Sequence, residues 1–247
     1  MIFQRIIQGD CLKVLPTLPD ESVDLVLTDP PFYLPVRNYA SRDKKWRPKI
    51  ADTSIMRNFF ESVFKEYRRI LKWSGHLLCF CDPISYPIFF YSAYNHFHIV
   101  RCLVWYKGKN YFPLGKGAWR HSFELILHAR DRGASFKKEN RQDVIESKVV
   151  PNKDRLHPAE KPVKLLEKLI DAVVPVNGIV LDSFLGSGAV MEASRNTNKS
   201  CIGIDNDSGY CEIARSRVFP KELPLINDTK YEFQIFKEGV SLNELAK

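Results

Sequence analysis

The sequence lacks the patterns that mark a secreted, membrane-spanning or zinc-binding protein. Its six cysteines are scattered along 247 residues without a C-x-x-C spacing, so neither a zinc site nor a disulfide framework is expected. No apolar run approaches the length of a membrane-spanning helix, and residues 1–5 do not resemble the start of a signal peptide. Repeats and low-complexity segments are absent too. These absences predict a cytoplasmic protein that binds no metal ion.

The composition that is present favours a folded domain with a polyanionic partner. A hydrophobic content of 45% over 247 residues is enough for one large α/β core. There are 37 basic residues against 29 acidic ones, for a formal charge of +8 and a pI near 9.1. This excess favours a nucleic-acid partner, although the same charge would also serve solubility alone.

Short apolar runs alternate with helical patterns along the chain. Strands are predicted at residues 2–8, 23–28, 76–81, 98–106, 123–129, 179–184 and 201–205, and the main helices at 54–75, 162–173, 189–196 and 208–218. Ser54 is placed to cap the first of these helices. Such alternation predicts a doubly wound, mostly parallel sheet. Residues 231–236 alternate weakly and could form an edge strand or stay loose.

The tetrapeptide Asp29-Pro30-Pro31-Phe32 follows an apolar run that is typical of a buried parallel strand. The carboxyl ends of such strands open onto the ligand-binding crevice of α/β proteins. The two prolines remove two N–H donors, so the corner offers only acceptors beside an aromatic ring. A planar base with an exocyclic amine would suit it. The same tetrapeptide could also end a strand with no further role.

A second candidate site follows the predicted strand at 179–184. Gly186 and Gly188 allow a tight turn and close approach of a ligand to the backbone. Asp205, at the end of the next strand, is placed to accept from ribose hydroxyls. The third glycine of a dinucleotide fingerprint is replaced by Met191. The segment therefore predicts an adenosine ligand without phosphates, such as S-adenosylmethionine, unless the glycines serve packing alone.

Five segments in order resemble the beta group of DNA amino-methyltransferases, which use S-adenosylmethionine to modify the exocyclic nitrogen of adenine or cytosine. They are Gly9-Asp10-Cys11, Asp29-Pro30-Pro31-Phe32, residues 123–127, the His-Pro-x-x-Lys-Pro segment at 157–162, and residues 184–188 with Gly203-Ile204-Asp205. The resemblance implies that Asp29, Pro30, Pro31 and Phe32 are catalytic. It also implies a donor site formed by Asp10, Cys11, Asp29, His157, Lys161, Asp182, Phe184, Gly186, Ser187, Gly188, Asp205 and Asn206.

The resemblance also implies an architecture. A Rossmann-like methyltransferase fold is expected, with a mostly parallel seven-stranded sheet, one antiparallel strand and a permuted motif order. Residues 1–218 would form a single domain, with a mobile basic loop at about 33–53 and a short target-recognition insert at about 131–156. Residues 219–247 would form a C-terminal tail. Phe32, Ser183 and Ala189 stand where the family more often has tyrosine, proline and threonine.

Basic loops are the predicted contacts to DNA phosphates. They carry Arg37, Arg42, Lys44, Lys45, Arg47, Lys107, Lys109, Lys116 and Arg120. The implied reaction is methylation of adenine N6 after the base is flipped out of double-stranded DNA. Cytosine-N4 methylation, an RNA substrate and a catalytically silent binding module are the alternatives. A second copy of the chain and a cognate restriction endonuclease are further partners that the resemblance suggests, and the sequence decides neither.

Overall fold

A computed structural model of the protein describes residues 2–31, 53–108, 121–134, 136–137, 141–157, 159–219 and 229–236. Within these ranges, helices and strands alternate along the chain as the apolar pattern predicts. None of the helices found there is both long and apolar enough to cross a membrane.

Nine strands and six α-helices form the described part of the chain. The strands are β1 (Ile2–Gln8), β2 (Val23–Thr28), β3 (Leu71–Cys81), β4 (Ile99–Tyr106), β5 (Phe123–Arg130), β6 (Val144–Glu146), β7 (Ile179–Asp182), β8 (Ser200–Asp205) and β9 (Thr229–Ile235). The helices are α1 (Cys11–Val14), α2 (Thr53–Ile70), α3 (Tyr86–Tyr94), α4 (Val163–Val173), α5 (Ala189–Asn196) and α6 (Ser208–Val218). Short 3-10 turns occur at Leu15–Thr17 and Asn152–Asp154.

All nine strands belong to one sheet, in the order β6-β4-β5-β3-β2-β7-β8-β1-β9. Among the described strands, β5 alone runs antiparallel to its neighbours β3 and β4. The predicted mostly parallel α/β sheet with one antiparallel strand is therefore confirmed. The strand count is nine rather than seven because two edge strands are added. β6 comes from the segment predicted as the target-recognition insert, and β9 comes from the C-terminal tail.

Helices cover the sheet on both faces. One core cluster joins the sheet to α1, α2 and α3, and the other joins it to α4, α5 and α6. β2 lies between them, with Val26 in the first cluster and Leu25 and Leu27 in the second, as the period of two in a strand requires. All six residues of β2 are buried, which is typical of a central parallel strand. This burial explains why the approach to Asp29 reads as a continuous apolar run.

The α2–β3 junction differs from the sequence prediction. The helix was expected to begin after Ser54 and to continue to Gly75, but it begins at Thr53 and ends at Ile70, and β3 starts at Leu71. β2 pairs with Leu71 and again with His76, and the register shifts between these two points. Residues 72–75 therefore form an irregularity in β3, which a helical periodicity count reads as one more turn.

Two buried histidines join β3 to β5. His76 Nδ1 lies 3.0 Å from His128 Nε2, and the two rings stack at a centroid distance of 5.3 Å. The Phe136 ring packs against both of them. Burial, followed by the neighbouring His76, lowers the pKa of His128 to about 3. His128 is therefore held in its neutral form in the folded protein.

We expect this pair to make the fold sensitive to acid. Between pH 6.5 and 3 the unfolded chain protonates His128 but the folded chain does not, so stability must fall as pH falls through that window. The loss approaches about 1.4 kcal/mol per pH unit for one proton. His128→Gln should reduce this slope when the free energy of unfolding is measured by urea titration at several pH values between neutrality and about 5. An unchanged slope would contradict the assignment.

Candidate active site

The candidate site lies where neighbouring parallel strands end. β2, β7 and β8 are adjacent in the sheet, and their carboxyl ends lead directly into Asp29, Asp182 and Asp205. The Gly9 amide, at the end of β1, donates to the Asp205 carbonyl at 2.8 Å. Both predicted sites are thus on one edge of the sheet, the edge at which open α/β sheets bind ligands.

The glycine loop after β7 is stabilised by β8. The Leu185 amide donates to the Ile204 carbonyl at 2.9 Å, and the Gly186 amide donates to Asp205 Oδ2 at 2.8 Å. Gly186 and Gly188 have φ values of +50° and +81°, a region that favours glycine. A Cβ at Gly186 would meet no heavy atom among the described residues closer than the Phe184 carbonyl at 4.0 Å. The backbone at Gly186 therefore borders open space into which a ligand can approach.

Gly188 has a different role. It caps the amino end of α5, and a Cβ there would lie 2.9 Å from Ala214 Cβ and 3.0 Å from Ala214 Cα on α6. This glycine is therefore required for α5 to pack against α6. Ser187 is buried between the two glycines, where the Arg217 guanidinium donates to its Oγ at 3.3 Å.

Asp205 presents a half-buried carboxylate next to this loop. Besides the Gly186 amide at Oδ2, it accepts from the Asp207 amide at Oδ1, at 2.9 Å. Burial raises the pKa of Asp205, and these amide hydrogen bonds oppose the rise. A carboxylate has about four lone-pair sites, so it retains capacity for ribose hydroxyls. Asn206 is exposed next to it.

Asp10 and Cys11 lie at the end of β1, next to β8. Asp10 is exposed and caps α1, with Oδ1 accepting from the Leu12 amide at 2.9 Å. Cys11 is buried, and burial, reinforced by Asp10, raises the pKa of its thiol to about 12. Asp10 is therefore the accessible member of this pair.

The corner after β2 contains a carboxylate with one oxygen occupied and one open. Asp29 Oδ2 accepts from Lys161 Nζ at 2.6 Å. Oδ1 is buried without a hydrogen-bond partner among the described residues. Pro30 is buried and Pro31 is exposed, while Phe32 lies outside the described residues. An unpaired buried acceptor is costly, and here it points to a ligand that donates.

Two further charged side chains continue inward from Asp29. Lys161 Nζ lies 3.2 Å from Glu124 Oε2, and Lys107 Nζ lies 2.6 Å from Glu124 Oε1. Burial opposes charge on Lys161, but the Asp29 and Glu124 carboxylates outweigh it and raise its pKa. Burial likewise opposes charge on Glu124, but the two lysines outweigh it and lower its pKa. For Asp29 burial prevails, so its pKa is raised despite Lys161.

A side-chain hydrogen bond joins the two halves of the site. The Thr28 hydroxyl donates to Asp182 Oδ1 at 2.8 Å, and the Phe184 amide donates to the same oxygen at 3.1 Å. Burial raises the pKa of Asp182 to about 7. Ser183, where the family more often has proline, is instead hydrogen-bonded to the buried Tyr67 hydroxyl of α2. These contacts hold the Asp29 corner and the glycine loop in one arrangement.

The His-Pro-x-x-Lys-Pro segment lies beside both halves. His157 Nδ1 accepts from the Ala159 amide at 3.1 Å, and its ring packs edge-on against Tyr210 at 4.9 Å. Burial, and then the Lys161 charge, lower the pKa of His157. Glu160, a variable position of the motif, is buried and forms an ion pair with Arg217 at 2.9 Å. Arg217 thereby links this segment to the glycine loop.

The structure brings several of the predicted residues together and adds others that were not predicted. Gly186, Gly188, Asp182, Phe184 and Asp205 come together as predicted. Lys161, predicted to contact the donor, contacts Asp29, and its contact with the donor stays a prediction. Sequence reasoning gave no role to Glu124, Glu160, Arg217, Thr28 or Tyr67. For Glu124 a signal existed, because it is a charged residue inside an apolar strand.

The predicted phosphate-binding residues lie mostly outside the described ranges. This holds for Arg37, Arg42, Lys44, Lys45, Arg47, Lys109, Lys116 and Arg120. Lys107 is described, and it does not fit the prediction. It is buried and forms an ion pair with Glu124, so a phosphate could reach it only if that ion pair broke.

The fold and site define an α/β protein with a methyltransferase-like arrangement, and comparison with known proteins identifies the family. Residues 23–216 match the DNA methylase family of N6- and N4-methyltransferases. YubD of Escherichia coli (strain K12), a protein named as a methylase, is 33% identical over 215 residues, covering 87% of this chain and 89% of its own. The Type II methyltransferase M.HinfI of Haemophilus influenzae is 25% identical over 243 residues, covering 86% and 67%.

Solved structures share the fold. PvuII DNA methyltransferase, which is cytosine-N4-specific, has a TM-score of 0.72 at 16% identity and covers 90% of each chain. TTHA0409 of Thermus thermophilus, solved with S-adenosyl-L-methionine, has a TM-score of 0.69 at 19% identity and covers 95% of this chain and 99% of its own. From the family match and the YubD similarity, the chain belongs to the family of DNA methyltransferases that modify exocyclic amines.

The two glycines of the loop should respond differently to alanine. Gly188→Ala introduces both a left-handed alanine and a clash with Ala214, so we expect it to destabilise the donor-free protein by about 2–3 kcal/mol. Gly186→Ala introduces a left-handed alanine in open space and should cost only about 1 kcal/mol. Urea unfolding of both variants measures the difference. Equal losses would show that the α5–α6 contact does not depend on Gly188.

Proposed function

We propose that this protein transfers a methyl group from S-adenosylmethionine to the exocyclic N6 of adenine in DNA. The observation that carries the proposal is the buried, unpartnered Asp29 Oδ1 at the end of β2, unpartnered among the residues that the structure describes. β2 is the neighbour of β7 in the sheet, so Asp29 lies beside the glycine loop that follows β7. The hydrogen bond from Thr28 to Asp182 connects the two. An acceptor that awaits a donor thus lies beside a loop that is open to a ligand.

The donor site fits an adenosine ligand that carries no phosphates. Asp205 offers carboxylate oxygens for ribose hydroxyls, and Gly186 offers open space along its backbone. Met191, at the third-glycine position, is fully buried, and its Cε packs near Gly203. The α5–β8 contact is therefore filled by a side chain, without the close helix approach of dinucleotide sites. Two of the solved relatives hold S-adenosylmethionine, which agrees with this donor.

In the proposed mechanism the corner orients the target amine. Asp29 Oδ1 and the Pro30 carbonyl accept its two hydrogens. These contacts weaken the conjugation of the nitrogen with the ring and turn its lone pair toward the donor methyl group. When bound, the donor supplies an electrophilic methyl group whose bond to sulfur breaks as the nitrogen–carbon bond forms, the electron pair returning to sulfur. The cationic nitrogen then releases one proton toward Asp29. Orientation and electrostatic complementarity supply the rate, and no stronger base is required.

Adenine is the proposed target because Asp29 opens the tetrapeptide, where a serine would have favoured cytosine. Cytosine-N4 remains the second candidate, since the acceptor corner suits either amine and the PvuII enzyme of the same fold is named as cytosine-N4-specific. The proposed DNA contacts are the loops at about 33–53 and 107–120 and the insert at about 131–156. Their basic side chains would neutralise phosphates.

Asp29 and Asp205 should separate catalysis from donor binding. We expect Asp29→Ala to lower methyl transfer to DNA by at least about 10²–10³-fold, the cost of removing one transition-state hydrogen-bond partner, while donor affinity stays close to wild type. Asp205→Ala should instead weaken donor binding. Labelled-methyl transfer and calorimetric titration with S-adenosylmethionine measure the two effects. Substantial turnover by Asp29→Ala would contradict the proposed role.

The product identifies the base. After incubation of DNA with the protein and S-adenosylmethionine, nucleoside mass spectrometry should detect N6-methyladenine. N4-methylcytosine would retain the mechanism and replace the substrate. Methylation of RNA but not DNA would overturn the DNA assignment. Donor binding without any methylated nucleoside would support a silent binding module.

A further inference from the structure

Lys161 is placed at the reacting corner by a segment far away in sequence. It lies 132 residues after Asp29, immediately before Pro162, which caps α4. Its side chain is only 7% exposed, although lysine is rarely buried without partners.

The ammonium is surrounded by acceptors. Nζ lies 2.6 Å from Asp29 Oδ2, 3.2 Å from Glu124 Oε2 and 3.4 Å from the Ala159 carbonyl. It also lies 5.1 Å from the centroid of the Phe80 ring, within the range of a cation–π contact. An ammonium has three hydrogens and no acceptor capacity. Two hydrogen bonds and the two carboxylate charges outweigh the cost of burial, so Lys161 is held charged and is not available as a base.

We propose that Lys161 is a positioning residue for methyl transfer. By binding Oδ2 of the partly buried Asp29 side chain, it keeps that carboxylate ionised and leaves Oδ1 as the atom that accepts the target amine. This inference rests on the proposed function and adds to it a division of labour between the two oxygens of Asp29. Glu124 is the second member of this charged device of Asp29, Lys161, Glu124 and Lys107, because its Oε2 lies 3.2 Å from Lys161 Nζ.

The charges alternate through the protein as Lys107, Glu124, Lys161 and Asp29. Glu124 Oε1 accepts from Lys107 Nζ, whereas Glu124 Oε2 forms an ion pair with Lys161 Nζ at 3.2 Å, and the Glu124 side chain is 17% exposed. The four charges sum to zero, which limits the cost of burying them. Removing Lys161 leaves two carboxylates with one lysine. Removing Glu124 as well restores the balance.

Several charged or titratable groups face Asp29 from the packed elements. They are Lys161, Glu124 on β5, Lys107 after β4, Asp182 at the end of β7, and Cys79 and Cys81 on β3. Burial raises the pKa of Asp29, Lys161 lowers it, Glu124 raises it and Lys107 lowers it. Lys161 and Glu124 therefore shift the pKa of Asp29 in opposite directions.

The first test uses the pH dependence of methyl transfer to DNA. Activity requires ionised Asp29, so Lys161→Met should move the acid limb of kcat/KM to higher pH. Each unit by which the pKa of Asp29 exceeds the assay pH lowers the ionised fraction by about tenfold. Glu124→Gln should move the same limb to lower pH. Lys164→Met is the matched control, because Lys164 is an exposed lysine three residues away, and its profile should not move.

The double variant separates electrostatics from packing. Lys161→Met with Glu124→Gln should return the acid limb toward wild type, because the second change removes a charge that raises the pKa of Asp29. A purely structural role for Lys161 would make the double variant equal to or worse than Lys161→Met, and that result would overturn the proposal. Unchanged or increased activity of Lys161→Met would also overturn it, and would mean that Lys161 merely occupies the place of the amine.

A second readout does not depend on activity. In Lys161→Met the folded-state pKa of Asp29 rises further above its unfolded value, so the fall in stability that begins near pH 4 should continue to a higher pH than in wild type. The gap in Tm between the two should widen over that range, and a constant gap would overturn the proposal. If Lys161→Met does not fold, the Glu124→Gln variant alone decides. The proposal is then overturned if the acid limb of kcat/KM in Glu124→Gln does not move to lower pH. Absence of methylation by the wild type would count against the proposed function, whereas the Tm comparison would still test the device.

Discussion

The hydrogen bond from the Thr28 hydroxyl to Asp182 is the contact on which the site depends. It joins the carboxyl ends of β2 and β7, at 2.8 Å between buried atoms, and thereby fixes Asp29 relative to the glycine loop. The Gly186 amide, bound to Asp205, joins that loop in turn to β8. Three adjacent parallel strands thus end in a continuous network. The Asp29 corner and the glycine loop are held side by side by these hydrogen bonds.

Electrostatics determines how the corner can function once it is buried. A lone carboxylate at Asp29 would lose its charge to desolvation, and a lone ammonium at Lys161 would do the same. Together with Glu124 and Lys107 they form an alternating set in which each charge has an opposite neighbour. Such a set adds little net stability. Its value in this account is geometric, because it commits Oδ2 of Asp29 and leaves Oδ1 for the substrate.

The sequence predicted those features that depend on local patterns. The apolar run before Asp29, the glycines after β7 and the acid ending β8 all carry short-range signals, and the structure places them as expected. The local sequence pattern could not predict that Lys161 would contact Asp29, because that contact joins positions 132 residues apart. β6 has only three residues and the β3 irregularity spans 72–75, so neither has a clear period. β9 was ambiguous because its residues are only half-buried and alternate weakly.

The central claim is that donor and target meet at the carboxyl ends of β2, β7 and β8. A crystal structure of the protein with S-adenosylmethionine tests it most directly. The account predicts the ribose hydroxyls against Asp205, the donor along the backbone at Gly186, and the methyl group directed toward Asp29 Oδ1. Donor bound elsewhere, or a methyl group directed away from Asp29, would contradict it.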